Sequence, residues 1–223
     1  MNDKSVIVPE PPDLVRLTAE QLNEQMAHFA KRTVQFAAAG YDRFGAPEFI
    51  LNQAGELAGP VLDVGTGTGI TARALAGRGL EVVGVDSSAD DLQVAAALTQ
   101  DSEFAARIRY LLADASSLPV PYGAFGAATA VDFLHHLDSG EPVLQELVRV
   151  VRPGGLIVLA DFSREGFDMV ARIHAAEEKV HPEGPVTVDW ASAFLATRGA
   201  VEVARASGHF HHVSVMRAPG RRS

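Results

Sequence analysis

The spacing of apolar residues changes several times along the chain, and each spacing predicts a different element. Thr18 and Gln21 form a capping-box pattern ahead of apolar residues at helical spacing, of which Leu22 and Met26 are the first, and this predicts a helix to about Gly40. Beyond residue 60, short apolar runs alternate with helical patterns. They predict strands near residues 60–64, 81–85, 108–112, 126–131 and 155–160, and helices near 69–78, 89–99, 140–151 and 165–180.

The apolar runs also indicate how the strands are covered. The run LIVLA at residues 156–160 is continuous, which is typical of a parallel strand buried on both faces by helices. Residues 200–216 instead contain two alternating stretches around Ser207 and Gly208, which predicts an antiparallel hairpin at one edge of the sheet. The fold class is therefore α/β. The predicted parts are a flexible segment (1–17), a helical cap (18–59), a main domain (60–217) and a tail (218–223).

Composition narrows the kind of partner that the chain can have. Its 223 residues suffice for one domain with a sizeable core, and no apolar stretch approaches the roughly 18 residues of a transmembrane helix. No targeting signal is visible, so we expect a cytoplasmic protein. The formal net charge of −9 argues against nucleic acid, and the absence of cysteine excludes disulfides, thiolate metal sites and cysteine nucleophiles. We expect a small-molecule substrate and neither a membrane nor a nucleic-acid partner, and we leave a homodimer open.

A glycine-rich turn follows the first predicted strand in VLDVGTGTG, residues 61–69. Gly65, Gly67 and Gly69 let a ligand approach the backbone, and the helix that begins there offers free N–H groups. A dinucleotide fingerprint would need glycine at position 70, where the chain has Ile70. Asp63 also suits a ligand with a positive group better than a pyrophosphate. The turn therefore predicts a cofactor site that suits a nicotinamide dinucleotide poorly.

Acidic residues follow the next two predicted strands. Asp86 lies about 20 residues beyond the turn, where a carboxylate can accept both hydroxyls of a ribose. Asp114 and Ala115 follow the third strand, where an acid can accept from an exocyclic amine and a backbone N–H can bind a ring nitrogen. Together these residues predict a nucleoside pocket.

Five segments resemble the class I S-adenosylmethionine-dependent methyltransferases in that family's order: VLDVGTGTG, VVGVDSS, LLADASSLPVPYGAF, AVDFLHHLDS and ELVRVVRPGGLIVLADF. The resemblance covers residues 60 to about 160 and is greatest to the branch that includes ubiquinone and menaquinone biosynthesis methyltransferases. It implies a Rossmann-like seven-stranded sheet, mostly parallel, with an antiparallel terminal hairpin and helices on both faces. Where many relatives have Phe-Asp before the fourth strand, this chain has Phe125 and Gly126.

The same resemblance implies S-adenosylmethionine as the cofactor and assigns its contacts. Asp86 would hold the ribose, and Asp114 and Ala115 the adenine edge, while the acid and glycines of the turn surround the methionine part. Asp132 and Phe133 would form the floor after the fourth strand. The implied cofactor-binding residues are Asp63, Gly65, Thr66, Gly67, Gly69, Asp86, Ser87, Asp114, Ala115, Asp132 and Phe133.

His135 and His136 follow the fourth predicted strand, beside the expected methyl donor. In one interpretation they are a hydrogen-bonded or solvated loop pair, and in the other one of them is a general base. Methyl transfer requires the nucleophile, the methyl carbon and the sulfonium sulfur in line, so a base is needed only for an alcohol, phenol or protonated amine. The catalytic candidates are His136, His135 and, on a later helix, His174.

More histidines occur near the end of the chain. His174, Glu178 and His181 are spaced i, i+4 and i+7 on one predicted helix face, a pattern that suits a divalent metal or the wall of a substrate pocket. We favour the pocket and assign no metal. His209 and His211 are predicted to share one face of a hairpin strand, where they would extend that pocket.

Aromatic residues precede the main domain. Tyr41 and Phe44 suit either core packing or a lid that closes the site to water, and we favour the lid. The substrate-binding candidates are Tyr41, His136, His174 and His181.

The sequence therefore predicts methyl transfer from S-adenosylmethionine to an oxygen, nitrogen, sulfur or carbon atom of a small molecule. A non-catalytic protein that binds the same cofactor is the first alternative, because a pocket is not an activity. A nicotinamide-dependent oxidoreductase on a similar sheet and metal-assisted methyl transfer through the histidines are less favoured alternatives.

Overall fold

The computed structural model of the protein describes residues 17–175 and 183–220. The helices in these ranges are α1 (Ala19–Ala38), α2 (Gly45–Ala54), α3 (Ile70–Gly77), α4 (Ala89–Thr99), α5 (Glu141–Val150), α6 (Arg164–Ala175) and α7 (Val188–Thr197). The strands are β1 (Val61–Val64), β2 (Val82–Asp86), β3 (Ile108–Leu112), β4 (Phe125–Val131), β5 (Val151–Phe162), β6 (Val201–Gly208) and β7 (His211–Arg217). Within this part of the chain, no helix combines the length and apolar character needed to cross a membrane.

The seven strands form one sheet in the order β3-β2-β1-β4-β5-β7-β6. Strands β1 to β5 pair in parallel, and β7 lies antiparallel between β5 and β6. The strand order reverses between β1 and β4, because β2 and β3 continue on one side of β1 and β4 and β5 lie on its other side. In α/β folds, ligands bind in the crevice that opens at the carboxyl ends of the two strands at such a point. The predicted α/β class, the mostly parallel sheet and the terminal hairpin are confirmed.

Apolar side chains cover both faces of the sheet. On one face, Leu62 of β1 packs in a cluster with Leu144 of α5 and Leu195 of α7. On the other face, Val61 of β1 packs in a second cluster with Leu75 of α3. Successive residues of one strand point to opposite faces, so both faces must be covered to bury such a run.

The amino-terminal helices α1 and α2 line a cavity at the carboxyl edge of the sheet, and α2 also packs on one face of the sheet. The predicted capping box begins α1, since the Gln21 amide donates to the Thr18 hydroxyl at 3.2 Å and the Thr18 amide donates to the Gln21 side chain at 2.9 Å. At the other end of α1, Phe36 and Tyr41 form a small apolar cluster with Met169 and other residues of α6. This cluster joins the end of α1 and the segment that follows it to α6.

Helix α7 is an element that spacing alone does not predict. The Thr187 hydroxyl caps it by accepting from the Trp190 amide at 3.1 Å, and Val188, Ala191 and Leu195 form its buried face. The helix has only 10 residues, and a single Thr cap was its main signal in the sequence.

The hairpin turn lies two residues later than predicted. Gly208 ends β6 opposite His211 at the start of β7, so the turn consists of His209 and Phe210, with φ of 47° and 66°. Turns with two positive φ values usually carry Asn and Gly, so His and Phe gave no signal for one. Gly208 lies in the strand, against the Phe49 ring. The prediction that His209 and His211 share a strand face is therefore wrong.

Close packing explains the glycine that departs from the family pattern before β4. The Gly126 amide donates to the Pro60 carbonyl at 2.8 Å, and an added Cβ would lie 2.1 Å from the Ala58 carbonyl oxygen. The register between β4 and β5 also shifts at this point, between Phe125 and Ala127. The loop before β1 thus crosses β4 so closely that an aspartate at position 126 would require the backbone to move.

We expect Gly126→Ala to lower the free energy of unfolding by about 1 to 3 kcal/mol, because the new methyl group overlaps a backbone carbonyl. Gly77→Ala is the matched control, since Gly77 ends α3 and an added Cβ there meets nothing within 4 Å. That control is expected to be neutral or slightly stabilising. Urea unfolding of both variants checks the difference, and equal stabilities would contradict the steric explanation.

Candidate functional site

Three neighbouring cavities follow the carboxyl edge of the sheet. The Asp86 cavity, of about 190 Å³, is lined by residues that follow β1 to β4. The Tyr41 cavity, of about 200 Å³, lies under α1 and α2, and the Phe167 cavity, of about 300 Å³, lies between α6, α7 and β7. His136 lines the first two cavities, and His135 and Phe162 line the last two. The three therefore form a row with a histidine at each boundary.

The glycine turn brings backbone to the floor of the Asp86 cavity. Gly65, Gly67 and Gly69 have φ of 67°, 49° and 77°, a region that favours glycine. The Phe133 ring packs directly on Gly65, where a Cβ would lie 2.1 Å from it, and the Gly67 amide donates to the Asp86 carboxylate at 2.8 Å. The turn is thus tied to the ends of β2 and β4.

Asp63 lies beneath the turn rather than in a cavity wall. Its carboxylate is 1% exposed and accepts from the hydroxyls of Thr66 and Thr129, both at 2.7 Å. Burial raises the pKa of Asp63 to about 6, although the two hydroxyls lower it. The Asp63 and Thr66 side chains therefore fix the turn to β4, and their contact with a cofactor stays a prediction.

The remaining predicted nucleoside contacts meet in the Asp86 cavity. Asp86 accepts from the Gly67 amide and from the Ser88 amide at 2.9 Å, which fixes the carboxylate with lone pairs left toward the cavity. Asp114 accepts from the Ser116 amide at 2.8 Å, and this bond holds the pKa of Asp114 below its ordinary value. The predicted residues that line this cavity are Gly65, Asp86, Ser87, Asp114, Ala115 and Phe133.

Asp132 points into the Tyr41 cavity and is paired with a buried histidine. Its φ is 53°, and its carboxylate lies 2.8 Å from Nε2 of His211, whose Nδ1 lies 2.6 Å from the His209 carbonyl oxygen. Both partners only accept, so both nitrogens donate and His211 is an imidazolium. Burial lowers the pKa of His211, but Asp132 and the two hydrogen bonds outweigh burial and raise it overall. The Asp132 charge is therefore largely neutralised.

Tyr41 is buried in the wall of its cavity. It is 5% exposed, and its ring meets those of Phe36, Phe162 and Phe210 edge-on at centroid distances of 5.4 to 6.0 Å. Burial, followed by Asp132, raises the pKa of the Tyr41 hydroxyl well above its ordinary value. Phe44 is 49% exposed and lies outside this cluster. Tyr41 thus anchors the cap, and its contact with a substrate stays a prediction.

The histidine pair after β4 consists of two unlike residues. Nδ1 of the buried His135 lies 2.6 Å from Asp161 at the end of β5, and the His135 amide donates to the same carboxylate at 2.9 Å. His136 is exposed, and the partial desolvation of its ring, followed by the neighbouring His135, lowers its pKa. The rings lie 4.0 Å apart. His174 is buried on α6 and lines the Tyr41 cavity, whereas Glu178 and His181 lie outside the described residues.

Sequence reasoning missed three residues that shape the site. Thr129 and Asp161 are polar side chains in otherwise apolar buried strands, a signal that could have revealed both. Arg43 lines the Tyr41 cavity, stacks over the Phe29 and Phe36 rings at 4.9 and 5.1 Å, and forms no ion pair within the described part of the chain.

Among the residues that the structure describes, no three His, Asp or Glu side chains are grouped as a metal site.

The central part of the chain matches a known family. A family model described as "Methyltransferase domain" matches residues 62–159. The chain is similar to O-methyltransferase resE of Aspergillus sclerotiorum, with 33% identity over 119 residues that cover 51% of this chain and 45% of that protein. It is also similar to a demethylmenaquinone methyltransferase of Thermus thermophilus, with 37% identity over 119 residues that cover 51% and 53%. The chain thus spans about half the length of the curated relatives it matches.

Solved structures share the fold over a longer stretch. A "SAM dependent methyltransferase from Aquifex aeolicus" has a TM-score of 0.65 at 19% identity and covers 91% of this chain and 100% of that chain. The sheet topology described above is therefore that of a methyltransferase fold.

The buried acid beneath the turn predicts an unusual pH dependence of stability. The folded-state pKa of Asp63 is about 6, above the ordinary value of 3.8, so the folded state holds this proton more tightly than the unfolded state. The contribution of Asp63 to the free energy of unfolding is therefore greatest at low pH. It falls by roughly 3 kcal/mol as the pH rises from about 4 to about 6. Asp63→Asn keeps the shape but does not titrate.

We expect the stability of Asp63→Asn relative to the unaltered protein to increase by roughly that amount between pH 4 and pH 6.5, as measured by urea unfolding. Asp101→Asn removes an exposed carboxylate instead and is expected to follow the unaltered protein. Parallel curves for Asp63→Asn and the unaltered protein would contradict the raised pKa.

Proposed function

We propose that the protein is a class I S-adenosylmethionine-dependent methyltransferase that transfers a methyl group to a small-molecule acceptor, a proposal supported by the match of residues 62–159 to the methyltransferase domain family. The observation that carries the proposal is the Asp86 cavity, where Gly65, Asp86, Asp114 and Phe133 meet although they follow four different strands. Such a set of backbone, carboxylate and aromatic groups suits a nucleoside.

Each part of the nucleoside has a suitable partner in this cavity. The Asp86 carboxylate is held by two backbone amides and keeps lone pairs for the two ribose hydroxyls. Asp114 can accept from the exocyclic amine of adenine, and the Ala115 amide can donate to a ring nitrogen. Phe133 supports the sugar from below, beside Gly65.

The methionine part then extends past His136 into the Tyr41 cavity. Arg43 is a half-buried guanidinium that donates to the Thr33 hydroxyl at 3.3 Å, and burial lowers its pKa. A carboxylate beside Arg43 would neutralise this cation, which suits the carboxylate of the amino-acid end. With the two ends so held, the sulfonium and its methyl group would lie near His136, which lines both cavities.

Positioning is the chief catalytic contribution under this proposal. The methyl carbon is displaced from sulfur by a nucleophile approaching along the line of the C–S bond, so a rigid cofactor and an oriented acceptor supply most of the acceleration. The cap closes the Tyr41 cavity from above and keeps water from the sulfonium.

We expect Asp86→Asn to weaken S-adenosylmethionine binding by about tenfold to a hundredfold, because the ribose hydroxyls lose a charged acceptor. Isothermal titration calorimetry measures the change, and thermal unfolding checks that the fold persists. Asp101→Asn, an exposed aspartate after α4, is the matched control and is expected to bind normally. Unchanged affinity in Asp86→Asn would remove the ribose role.

Turnover separates an enzyme from a binding protein. Incubation with methyl-labelled S-adenosylmethionine and a panel of phenols, amines and thiols is expected to accumulate S-adenosylhomocysteine, and Asp86→Asn is expected to lower that rate at limiting cofactor. Tight cofactor binding with no product from any acceptor would favour a non-catalytic protein instead.

A further inference from the structure

His211 lies where the cap (residues 18–59), the hairpin turn and the end of β4 meet. It is 0% exposed, its Nε2 lies 2.8 Å from the Asp132 carboxylate, and its Nδ1 lies 2.6 Å from the His209 carbonyl oxygen. Both partners only accept, so both ring nitrogens donate. One buried imidazolium therefore joins the residue after β4 to the hairpin turn.

The backbone at both ends of this bridge adopts a conformation that other contacts must hold. Asp132 has φ of 53°, and the turn residues His209 and Phe210 have φ of 47° and 66°. Residues other than glycine adopt this left-handed region only at a cost in free energy. His211 supplies a hydrogen bond at each end, and the Phe210 carbonyl accepts a further one from the Ser163 amide at 2.7 Å.

The cap packs on the hairpin turn and on His211 itself. The Tyr41 ring meets the Phe210 ring edge-on and the His211 ring at a tilt, both at a centroid distance of 5.8 Å. Within the cap, the Tyr41 amide donates to the carbonyl of Phe36, which is the residue that α1 buries. A movement of the turn would therefore reach the end of α1 through Phe210 and Tyr41.

We propose that the proton on His211 holds the cap closed over the Tyr41 cavity, and that its loss at higher pH releases the hairpin turn and opens the cap. When the ring is neutral, the Asp132 carboxylate retains the N–H at Nε2, and the bare Nδ1 faces the His209 carbonyl oxygen. Two lone pairs at 2.6 Å repel, so the turn moves away and takes Phe210 from the Tyr41 ring. His211 is thus a positioning residue for the cap.

The groups around His211 set the direction of the pH dependence. The titratable and charged groups that face this bridge are Asp132 after β4, Asp161 on β5, His209 in the turn, and Tyr41 and Arg43 of the cap. Burial lowers the pKa of His211, but Asp132, the two hydrogen bonds and Asp161 raise it above its ordinary value of 6.5 overall. Stability from such a group is fully present below its unfolded-state pKa and is lost as the pH rises through its folded-state pKa. The cap is therefore held at acidic pH and released at alkaline pH.

An NMR titration of His211 tests its protonation. We expect the ring to be an imidazolium at about pH 6 and to titrate above the ordinary value of 6.5. Asp132→Asn keeps a residue type that tolerates a left-handed backbone but removes the charge, so it should lower the midpoint by about one pH unit or more. A ring that is neutral at about pH 6, or an unchanged midpoint in Asp132→Asn, would overturn the proposal.

Hydrogen exchange tests the link to the cap and needs no cofactor. The Ala39, Gly40 and Tyr41 amides form backbone hydrogen bonds at the end of α1. We expect their protection factors, corrected for the intrinsic rate at each pH, to fall by about tenfold or more as the pH rises through the His211 midpoint. In Asp132→Asn this fall should move to lower pH together with the titration. Protection that stays constant while His211 titrates contradicts the proposal.

A pair of histidine variants separates the proton of His211 from general effects of pH. His211→Gln retains an N–H donor but cannot titrate, so we expect low cap protection that no longer falls with pH. His212→Gln is the matched control, because His212 is the next residue of β7, is exposed and bonds to Ser207. It is expected to keep the fall of the unaltered protein. A fall that persists in folded His211→Gln refutes the role of this proton. If that variant does not fold, the unaltered protein and Asp132→Asn decide.

A cofactor readout rests on the proposed function. We expect the Kd of S-adenosylhomocysteine, measured by calorimetry, to rise with pH in the unaltered protein and in His212→Gln by about the factor by which cap protection falls. That component of the rise should be absent in His211→Gln. If S-adenosylhomocysteine binds at no pH, the proposed function fails and the exchange experiment still decides the present inference. If it binds with the same pH dependence in His211→Gln, only the present inference fails.

Discussion

The rest of the site depends on the buried Asp63 carboxylate, which accepts hydrogen bonds from two threonine hydroxyls. Thr66 belongs to the glycine turn and Thr129 to β4, so one side chain at the end of β1 fixes the turn to its neighbouring strand. Removing a carboxylate from water is unfavourable, as its raised pKa shows. The chain tolerates this cost because the turn determines where the Gly67 amide and the Phe133 ring lie.

An aspartate lies at the carboxyl end of several of the parallel strands. These aspartates have different hydrogen-bond partners and therefore different properties. Asp86 is held by backbone amides and keeps free lone pairs, which suits the neutral hydroxyls of a sugar. Asp132 is neutralised by the imidazolium of His211, and Asp161 is engaged by His135 and two backbone amides. The acids along this edge therefore do not simply repel one another, since Asp132 and Asp161 each have a histidine partner.

The sequence predicted the fold and the residues that meet in the Asp86 cavity better than it predicted those of the Tyr41 and Phe167 cavities. Asp86 and Asp114 directly follow strands that a short apolar run identifies, so their meeting at one edge could be inferred from strand order. The pairing of Asp132 with His211 joins residues 79 positions apart through a hairpin whose turn carries no typical turn residues. Such a contact depends on tertiary packing, and spacing along the chain contains no trace of it.

The Phe167 cavity illustrates the same limit. Its walls come from the loop after β4, the end of β5, the start of β7, the start of α6 and the segment that leads into α7, and each contributes only one to a few side chains. None of these short segments forms a motif. The residues that line the Asp86 cavity instead lie at the ends of four strands that apolar runs identify, so the sequence marks their places. His135 joins the Phe167 cavity to the Tyr41 cavity, because its side chain borders both.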